Sequence, residues 1–168
     1  MTSWAIRHVA NGVNLSTPLG LLVARVGGAR VRPGPMRLHL ADHYRFGFPV
    51  ADVFTIGDVV LSRHDLDHLL ARSPTLLEHE EAHSRQWMCC LGMPFLPCYV
   101  AAMGWSWLRT GDRAARNVFE RRADLAKGGY AEVSPRPLGP VAREAGRRLR
   151  AAMRNGSLAG SLPSGAPR

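Results

Sequence analysis

A histidine pair with a glutamate beside it is the strongest chemical signal in this sequence. The stretch "TLLEHEEAHSRQW", residues 75–87, contains His79 and His83 four positions apart, with Glu80 directly after the first histidine. On a helix, residues at this spacing project from one face, so both imidazoles can reach a single tetrahedral cation. Glu80 lies about 100° round the helix, where its carboxylate can approach a metal-bound water without being a ligand. The spacing therefore predicts a zinc site with Glu80 as general base.

This H-E-x-x-H pattern arises by chance in about one chain in a hundred of this composition. Two other histidine pairs share the four-residue spacing, His39 with His43 and His64 with His68. Neither pair has a glutamate directly after its first histidine, so we interpret both as structural or surface histidines.

A zinc site requires a third protein ligand, and a catalytic zinc leaves its fourth position to water. Glu120, in the segment "NVFERRAD", is our candidate. The same segment also has the form of a capping box, in which Asn117 caps a helix and Glu120 returns to the backbone of that cap. Both interpretations of Glu120 stay open. The softer alternative ligands are the cysteines Cys89, Cys90 and Cys98.

The sequence resembles the gluzincin type of zincin metallopeptidase, in which H-E-x-x-H on one helix is followed by E-x-x-x-D on a second. Here "HEEAH" is followed by "ERRAD". The resemblance covers two short motifs and implies a zincin-like fold. It also implies Glu120 as the third zinc ligand and Asp124 as the residue that holds a ligand histidine in place.

The sequence is also similar to small zincins of bacteria, in which a glycine-containing strand precedes the metal helix and a glutamine follows the second histidine by three positions. Here "FTIGDVVLSR" precedes "LLEHEEAHSRQW". Gln86 would then steady the site by hydrogen bonds, with an ordinary polar helix residue as the alternative. In zincins the strand before the metal helix is typically an edge strand that pairs with an extended substrate. Our candidates for that strand are Val59, Val60, Leu61 and Ser62.

These residues predict a zinc-dependent metallopeptidase that hydrolyses peptide or protein substrates and carries one Zn²⁺ per chain. Zinc held by two neutral imidazoles and a carboxylate would lower the pKa of its bound water toward about 7. Glu80 would accept that proton and return it to the leaving amine. Two alternatives stay open: a catalytically inactive zincin-like metal-binding module, and an arginine-rich accessory protein that binds nucleic acid or an acidic membrane surface.

Length and composition indicate one folded domain in a reducing compartment. The chain has 168 residues, of which 46% are hydrophobic and 21% charged, as in globular proteins. Its net charge is +9, but Lys127 is the only lysine, and such an arginine skew reflects codon bias as readily as a polyanionic partner. Nucleic acid is therefore not the favoured partner. Three cysteines do not suggest a secreted disulfide framework, and the N-terminal stretch does not match a secretory signal. We expect a cytoplasmic protein.

The order of patterns predicts an α+β fold, with a small antiparallel or mixed sheet in residues 15–63 and a helical half in residues 64–154. Three or four strands are expected in the short apolar runs "LGLLVARV", "ARVR", "MRLHL" and "VFTIGDVVLS". The metal helix is predicted to start at Pro74, capped by Ser73, and to run to about Leu91. A further helix is predicted from Asn117 to Gly128. Residues 1–154 are expected to form a single domain that ends in a basic helix, and residues 155–168 a disordered tail.

One stretch raises the question of a membrane. Residues 88–108 contain no charged residue over 21 positions, a length in the range of a membrane span. Gly92, Pro94 and Pro97 break its first half, and residues 97–108 alone cover only about half a bilayer. Two interpretations stay open: a buried hairpin helix, or peripheral membrane contact through residues 97–108. The second is favoured by residue types common at membrane interfaces, Tyr99, Trp105, Trp107 and Arg109.

Overall fold

A computed structural model gives the fold and describes residues 3–49, 51–137, 139, 143, 146, 147, 150 and 151. Residues 1–133 form one compact unit and residues 134–168 a second. The first unit contains the sheet and all the residues of the predicted site. Most of the predicted basic helix and the whole of the predicted tail, residues 155–168, lie outside the described residues.

The predicted fold class is confirmed, because a four-stranded mixed sheet is followed by helices. Two helices precede the sheet, α1 (Ser3–Val13) and α2 (Ser16–Val26). The strands are β1 (Arg30–Pro33), β2 (His39–Asp42), β3 (Val53–Ile56) and β4 (Val59–Ser62). The helices described after the sheet are α3 (Leu66–Arg72), α4 (Leu76–Cys89), α5 (Phe95–Thr110) and α6 (Val118–Arg122).

The first predicted strand, "LGLLVARV", is wrong, because these residues form most of α2. Gly20 and Ala24 lie four positions apart and are both buried, so the helix turns a face of small residues toward the sheet. A Cβ at Gly20 would lie only 2.9 Å from the Cβ of Val59. An aliphatic run with small residues at helical spacing suits a helix that must approach a sheet closely. The β-rich region therefore begins at Arg30 and not at residue 15.

The sheet has the strand order β1-β2-β4-β3, with β2 and β4 parallel and the two outer pairs antiparallel. Gly57, at φ 60, and Asp58 form the tight turn between β3 and β4. All four residues of β4 are buried, as is typical of a central strand. The expectation that Val59–Ser62 forms an edge strand is therefore wrong. The strand at the edge of the sheet on the β4 side is β3.

The metal helix α4 begins later than predicted. Ser73 stands at the end of α3, and Thr75 occupies the N-cap position of α4. The predicted Ser73 cap is therefore wrong. Helix α3 was not predicted, and Asp65 caps it by accepting a hydrogen bond from the His68 amide at 3.0 Å. At the other end of α4, the buried Trp87 donates its indole N–H to the Thr55 carbonyl at 2.9 Å, which fastens the helix to β3.

A buried polar network holds α1 against α4 and the β3–β4 turn. Asp58 accepts hydrogen bonds from Arg7 at 3.0 Å, from Asn11 at 2.8 Å and from Ser84 at 2.6 Å. Burial alone would raise the pKa of Asp58, but these hydrogen bonds and the Arg7 charge hold it below its ordinary value. Because Ser84 of α4 is bound to this network, the helix is rotated so that His79 and His83 face away from α1.

Helix α5 does not form a buried hairpin. Of its 16 residues, the buried ones are Phe95, Ser106 and Thr110. The helix packs on α6, and Phe95 also contacts Trp87 of α4. The buried interpretation of residues 97–108 is therefore wrong. Among the described helices, none combines the length and the hydropathy that crossing a bilayer requires.

Candidate metal centre

Two helices bring the predicted site residues together. α4 supplies His79, Glu80 and His83, and α6 supplies Glu120, and all four side chains are buried. α6 begins at Asn117, whose side chain accepts a hydrogen bond from the Phe119 amide at 3.0 Å. The predicted N-cap is thus present. Glu120 does not turn back to this cap, and its carboxylate points to the histidines instead.

The candidate ligand atoms of His79, His83 and Glu120 lie close together. His79 Nε2 is 3.0 Å from His83 Nε2 and 3.2 Å from Glu120 Oε2, and His83 Nε2 is 3.5 Å from the other carboxylate oxygen, Glu120 Oε1. One such atom from each residue lies within 4.8 Å of the other two. In a tetrahedral zinc site with bonds of about 2.0–2.1 Å, neighbouring ligand atoms are about 3.3 Å apart. The spacing of the group is therefore close to that of three zinc ligands.

Hydrogen bonds at the outer nitrogens fix the tautomers of both histidines. His79 Nδ1 lies 3.1 Å and 3.0 Å from the backbone carbonyls of Ala123 and Asp124, which only accept. His83 Nδ1 lies 2.9 Å from Gln86 Oε1. Gln86 in turn donates its Nε2 to the Phe119 carbonyl at 2.9 Å, so its Oε1 is the acceptor. Both Nδ1 atoms therefore carry protons, so in the neutral form of each ring Nε2 has the lone pair that can bind a metal.

This arrangement fits a cation. The two Nε2 atoms lie 3.0 Å apart, and Glu120 Oε2 is buried 3.2 Å from His79 Nε2 without a hydrogen-bond partner. Burial alone would lower the pKa of His83, but the neighbouring carboxylates of Glu120 and Glu80 raise it to about 9. Burial alone would raise the pKa of Glu120, but the neighbouring His79 and His83 hold it well below its ordinary value. The pocket thus stabilises positive charge, and the donor atoms suit zinc.

Asp124 serves the site through its carbonyl and not through its side chain. α6 ends before Asp124, which has φ 71, in the left-handed region. The turn presents the Ala123 and Asp124 carbonyls to His79, while the Asp124 carboxylate accepts from the Ala126 amide at 3.1 Å. Asp124 therefore contacts a candidate ligand histidine, as the resemblance implies, and it does so through its backbone carbonyl. Carbonyls at the end of a helix lack intrahelical partners and are free to accept this hydrogen bond.

Tyr99 of α5 and Thr55 of β3 each hold one of the site's carboxylates. The Tyr99 hydroxyl donates to Glu120 Oε1. Burial and the nearby Glu120 charge raise the pKa of Tyr99, so the hydroxyl keeps the proton it donates. Thr55 Oγ1 donates to Glu80 Oε2 at 2.7 Å and so orients the expected general base.

Sequence reasoning missed both of these roles. Tyr99 stands in the long charge-free stretch, where its hydroxyl is an unusual polar group. Thr55 stands in the quoted strand "FTIG", beside the metal helix. The sequence shows that each residue carries a hydroxyl group that can donate a hydrogen bond. Which carboxylate accepts that bond depends on the tertiary packing.

The segment after α6 covers one side of the centre. Gly128 packs on the His79 ring so closely that a Cβ there would lie 2.5 Å from Cε1 and 2.8 Å from Nε2. The exposed Tyr130 follows, with its ring centroid 6.0 Å from that of His79. It lines a surface groove together with Arg121, Arg122 and Glu132.

Two other expectations concern ligands and substrate alignment. Among the residues that the structure describes, the group able to share a metal ion is His79, His83 and Glu120, without a cysteine. β4 lies between β2 and β3, so Val59–Ser62 has no free backbone edge with which a substrate could pair. The edge strand beside α4 is β3, and its Thr55 carbonyl is already bound to Trp87.

Comparison with known proteins gives no match: no family model, no curated protein and no solved structure shows significant similarity to this chain.

Proposed function

We propose that this chain is a zinc-dependent metallopeptidase of the zincin type, with His79, His83 and Glu120 as metal ligands and Glu80 as general base. The observation that carries the proposal is the close approach of His79 Nε2 to His83 Nε2 at 3.0 Å and to Glu120 Oε2 at 3.2 Å. A further buried acid, Glu80, directly follows His79 in sequence and is outside the ligand group. Two histidines and one carboxylate with a separate acid are the parts that hydrolytic zinc sites require.

The protein's own groups would perform the proton transfers. Zinc, when bound, supplies an acidified water and a Lewis acid for the substrate carbonyl. Thr55 holds Glu80 Oε2 at 2.7 Å, so the carboxylate is oriented before a substrate arrives. Glu80 would take a proton from the attacking water and deliver it to the leaving amine. Tyr99 binds Glu120 Oε1, which leaves Oε2, the oxygen without a partner, for the metal.

We place the approach of a peptide or protein substrate at the groove beside Tyr130. Tyr130 is exposed, and its ring lies beside that of His79. The groove also contains Arg121, Arg122 and Glu132, whose charges would contact a peptide backbone or charged side chains.

A second candidate is a zincin-like metal-binding module without catalytic activity. The burial of all four site residues favours it, since a hydrolytic centre needs a path for its substrate. The hydrogen-bonded ligands would serve this role equally well, because a structural zinc centre is stabilised by the same outer contacts. The two candidates share the metal and differ in what Glu80 does.

Replacement of Glu80 by glutamine tests the proposal. Glu80→Gln should retain one zinc per chain and lose peptide hydrolysis by about 10²-fold to 10⁴-fold, the range for general acid–base catalysis. Zinc is measured by elemental analysis, and hydrolysis by mass spectrometry of a mixed peptide library.

The matched control is Glu78→Gln, on the same helix. Glu78 is exposed and pairs with Lys127 at 2.5 Å, a surface ion pair that contributes little to stability. This variant should behave as wild type. Full hydrolysis by Glu80→Gln would remove the general base from the mechanism. Zinc without hydrolysis in the wild type would favour the inactive module.

A further inference from the structure

Helix α1 exposes its apolar residues and buries its polar ones. Arg7 and Asn11 are fully buried in the Asp58 network, whereas Ile6, Val9 and Val13 are exposed. The three exposed residues are spaced three and four positions apart, so they form one stripe along the helix. A surface helix of a globular protein normally shows the opposite pattern.

Helix α5 has the same inversion over a wider face. Its buried residues are Phe95 at the first turn and, further along, Ser106 and Thr110, whose hydroxyl groups bond to backbone carbonyls. Its outer side carries a stripe of exposed apolar residues at helical spacing, formed by Leu96, Val100 and Trp107. Further exposed apolar residues, Trp105 and Leu108, extend this face.

The two exposed faces meet where the turn between α1 and α2 touches the turn between α4 and α5. A Cβ at Gly92 would lie 2.8 Å from the Asn14 carbonyl oxygen. Four exposed side chains border this contact and are called here the junction patch: Val13 (78% exposed), Leu15 (66%), Leu91 (78%) and Met93 (54%). Exposed apolar residues that form one patch indicate an interaction site.

The two leucines are kept in the junction patch at a conformational cost. Leu15 has φ 65 and Leu91 has φ 58, in the left-handed region that glycine and asparagine adopt most readily. A residue that served only to make the turn would be one of those two. The strained backbone therefore presents a large apolar side chain at the tip of each turn.

The charge around this surface identifies the partner. Residues 1–41 and 82–111, which contain both helices and both turns, include no acidic residue. They do include arginines at the ends of the apolar stretches, Arg25 and Arg109. Arg109 lies over the Trp105 ring at 5.4 Å. An apolar surface bordered by tryptophan and arginine, without acids, complements a bilayer surface that carries anionic headgroups.

We propose that the junction patch, continued by the exposed face of α5, binds the surface of an anionic lipid bilayer. The leucines and tryptophans would enter the boundary between headgroups and acyl chains, and the arginines would contact the phosphates. This surface shares no residue with the zinc ligands or Glu80, so the two proposals stand independently.

Flotation of the full chain with lipid vesicles tests this proposal. Vesicles of phosphatidylcholine with 30% phosphatidylserine are compared with pure phosphatidylcholine. The wild type should float with the anionic vesicles and less with the neutral ones. Leu15→Asn combined with Leu91→Asn should weaken partitioning by about tenfold or more, because two large apolar side chains are removed from the contact.

The asparagine variant is designed to keep its fold, because asparagine accepts the left-handed backbone better than leucine does. Its thermal unfolding temperature should be unchanged or higher. The control is Val31→Thr, an exposed apolar residue of β1 outside the patch, which should float as wild type. Unchanged flotation of the double variant, or no flotation of the wild type with either vesicle, would overturn the proposal. So would a wild-type dimer that the double variant turns into a monomer without lipid, which would make this a contact between copies.

Discussion

Gly128→Ala should weaken zinc binding without straining the backbone at the substituted position. Gly128 does not adopt a left-handed conformation, so alanine fits the same backbone. The added methyl group would lie 2.5 Å from Cε1 and 2.8 Å from Nε2 of His79. The first distance is about 0.9 Å shorter than the 3.4 Å at which ordinary van der Waals contact begins. Either the ring or the segment must move.

The magnitude follows from how His79 is held. Its Nδ1 binds the Ala123 and Asp124 carbonyls at 3.1 and 3.0 Å, so the ring and the segment that contains Gly128 are fastened together. A displacement of about 0.9 Å exceeds the tolerance of a zinc–nitrogen bond, which is about 0.2 Å. We expect zinc affinity to fall by about 10²-fold or more, the upper end of what loss of an outer contact costs.

The assay is competition for zinc with a chromophoric chelator. The matched control is Gly129→Ala, because Gly129 has φ 76 but open space around an added Cβ. That variant should lose about 1 kcal/mol of stability from backbone strain and keep its zinc affinity. Thermal unfolding with excess chelator reports the fold of each variant without metal. Wild-type zinc affinity in Gly128→Ala would refute the placement of this segment against His79.

Three further variants remove hydrogen-bonding groups, two beside the metal centre and one in the buried network of Asp58. Thr55→Val removes the donor to Glu80 and should lower kcat by about tenfold or more at unchanged zinc content, with Thr55→Ser restoring it; an unchanged kcat would contradict the positioning role. Tyr99→Phe removes the donor to Glu120 and should weaken zinc binding by about 10-fold to 100-fold, and equal affinity by chelator competition would exclude that role. Asp58→Asn removes one of the two buried acid partners of Arg7, which keeps Glu81, and should cost about 1–3 kcal/mol in urea unfolding. Because folding lowers the pKa of Asp58 from 3.8, the wild type's advantage should be full above pH 3.8 and shrink as pH falls through the folded-state pKa. An advantage that stays constant into acid would contradict it.

The grouping of the candidate site residues was predictable because its signals are local or belong to short motifs. His79, His83 and Gln86 share one face of a single helix, and that spacing alone places them together. Glu120 came from the paired motif, and the fold brings it to the two histidines. Its competing role as a capping residue could be decided only by the fold, which brings α6 beside α4.

The expectations that failed depend on information that is not local. The motif placed Asp124 at a histidine but does not show that the contact is made by the backbone carbonyl, which depends on α6 ending at Arg122. Val59–Ser62 was placed at an edge, but strand order is set by which strands pair across the chain. The "LGLLVARV" run is compatible with either strand or helix until the packing of Gly20 on Val59 is known.

Helix α5 shows that composition alone does not distinguish a buried segment from an exposed apolar one. A stretch without charge suits a protein core and a lipid surface equally well. Only the fold shows that residues 97–108 leave most of their side chains exposed. The same holds for α1, where the buried Arg7 and the exposed Val13 reverse the usual pattern.

The most direct test of the zinc centre is X-ray absorption spectroscopy at the zinc edge of the purified protein, combined with elemental analysis. We predict one zinc per chain, with nitrogen and oxygen ligands at about 2.0–2.1 Å and scattering from two imidazole rings. His79→Ala and Glu120→Ala should each lose most of the zinc. Absence of bound zinc would contradict the account, and so would a sulfur shell at about 2.3 Å, which would assign the metal to the cysteines Cys89, Cys90 and Cys98.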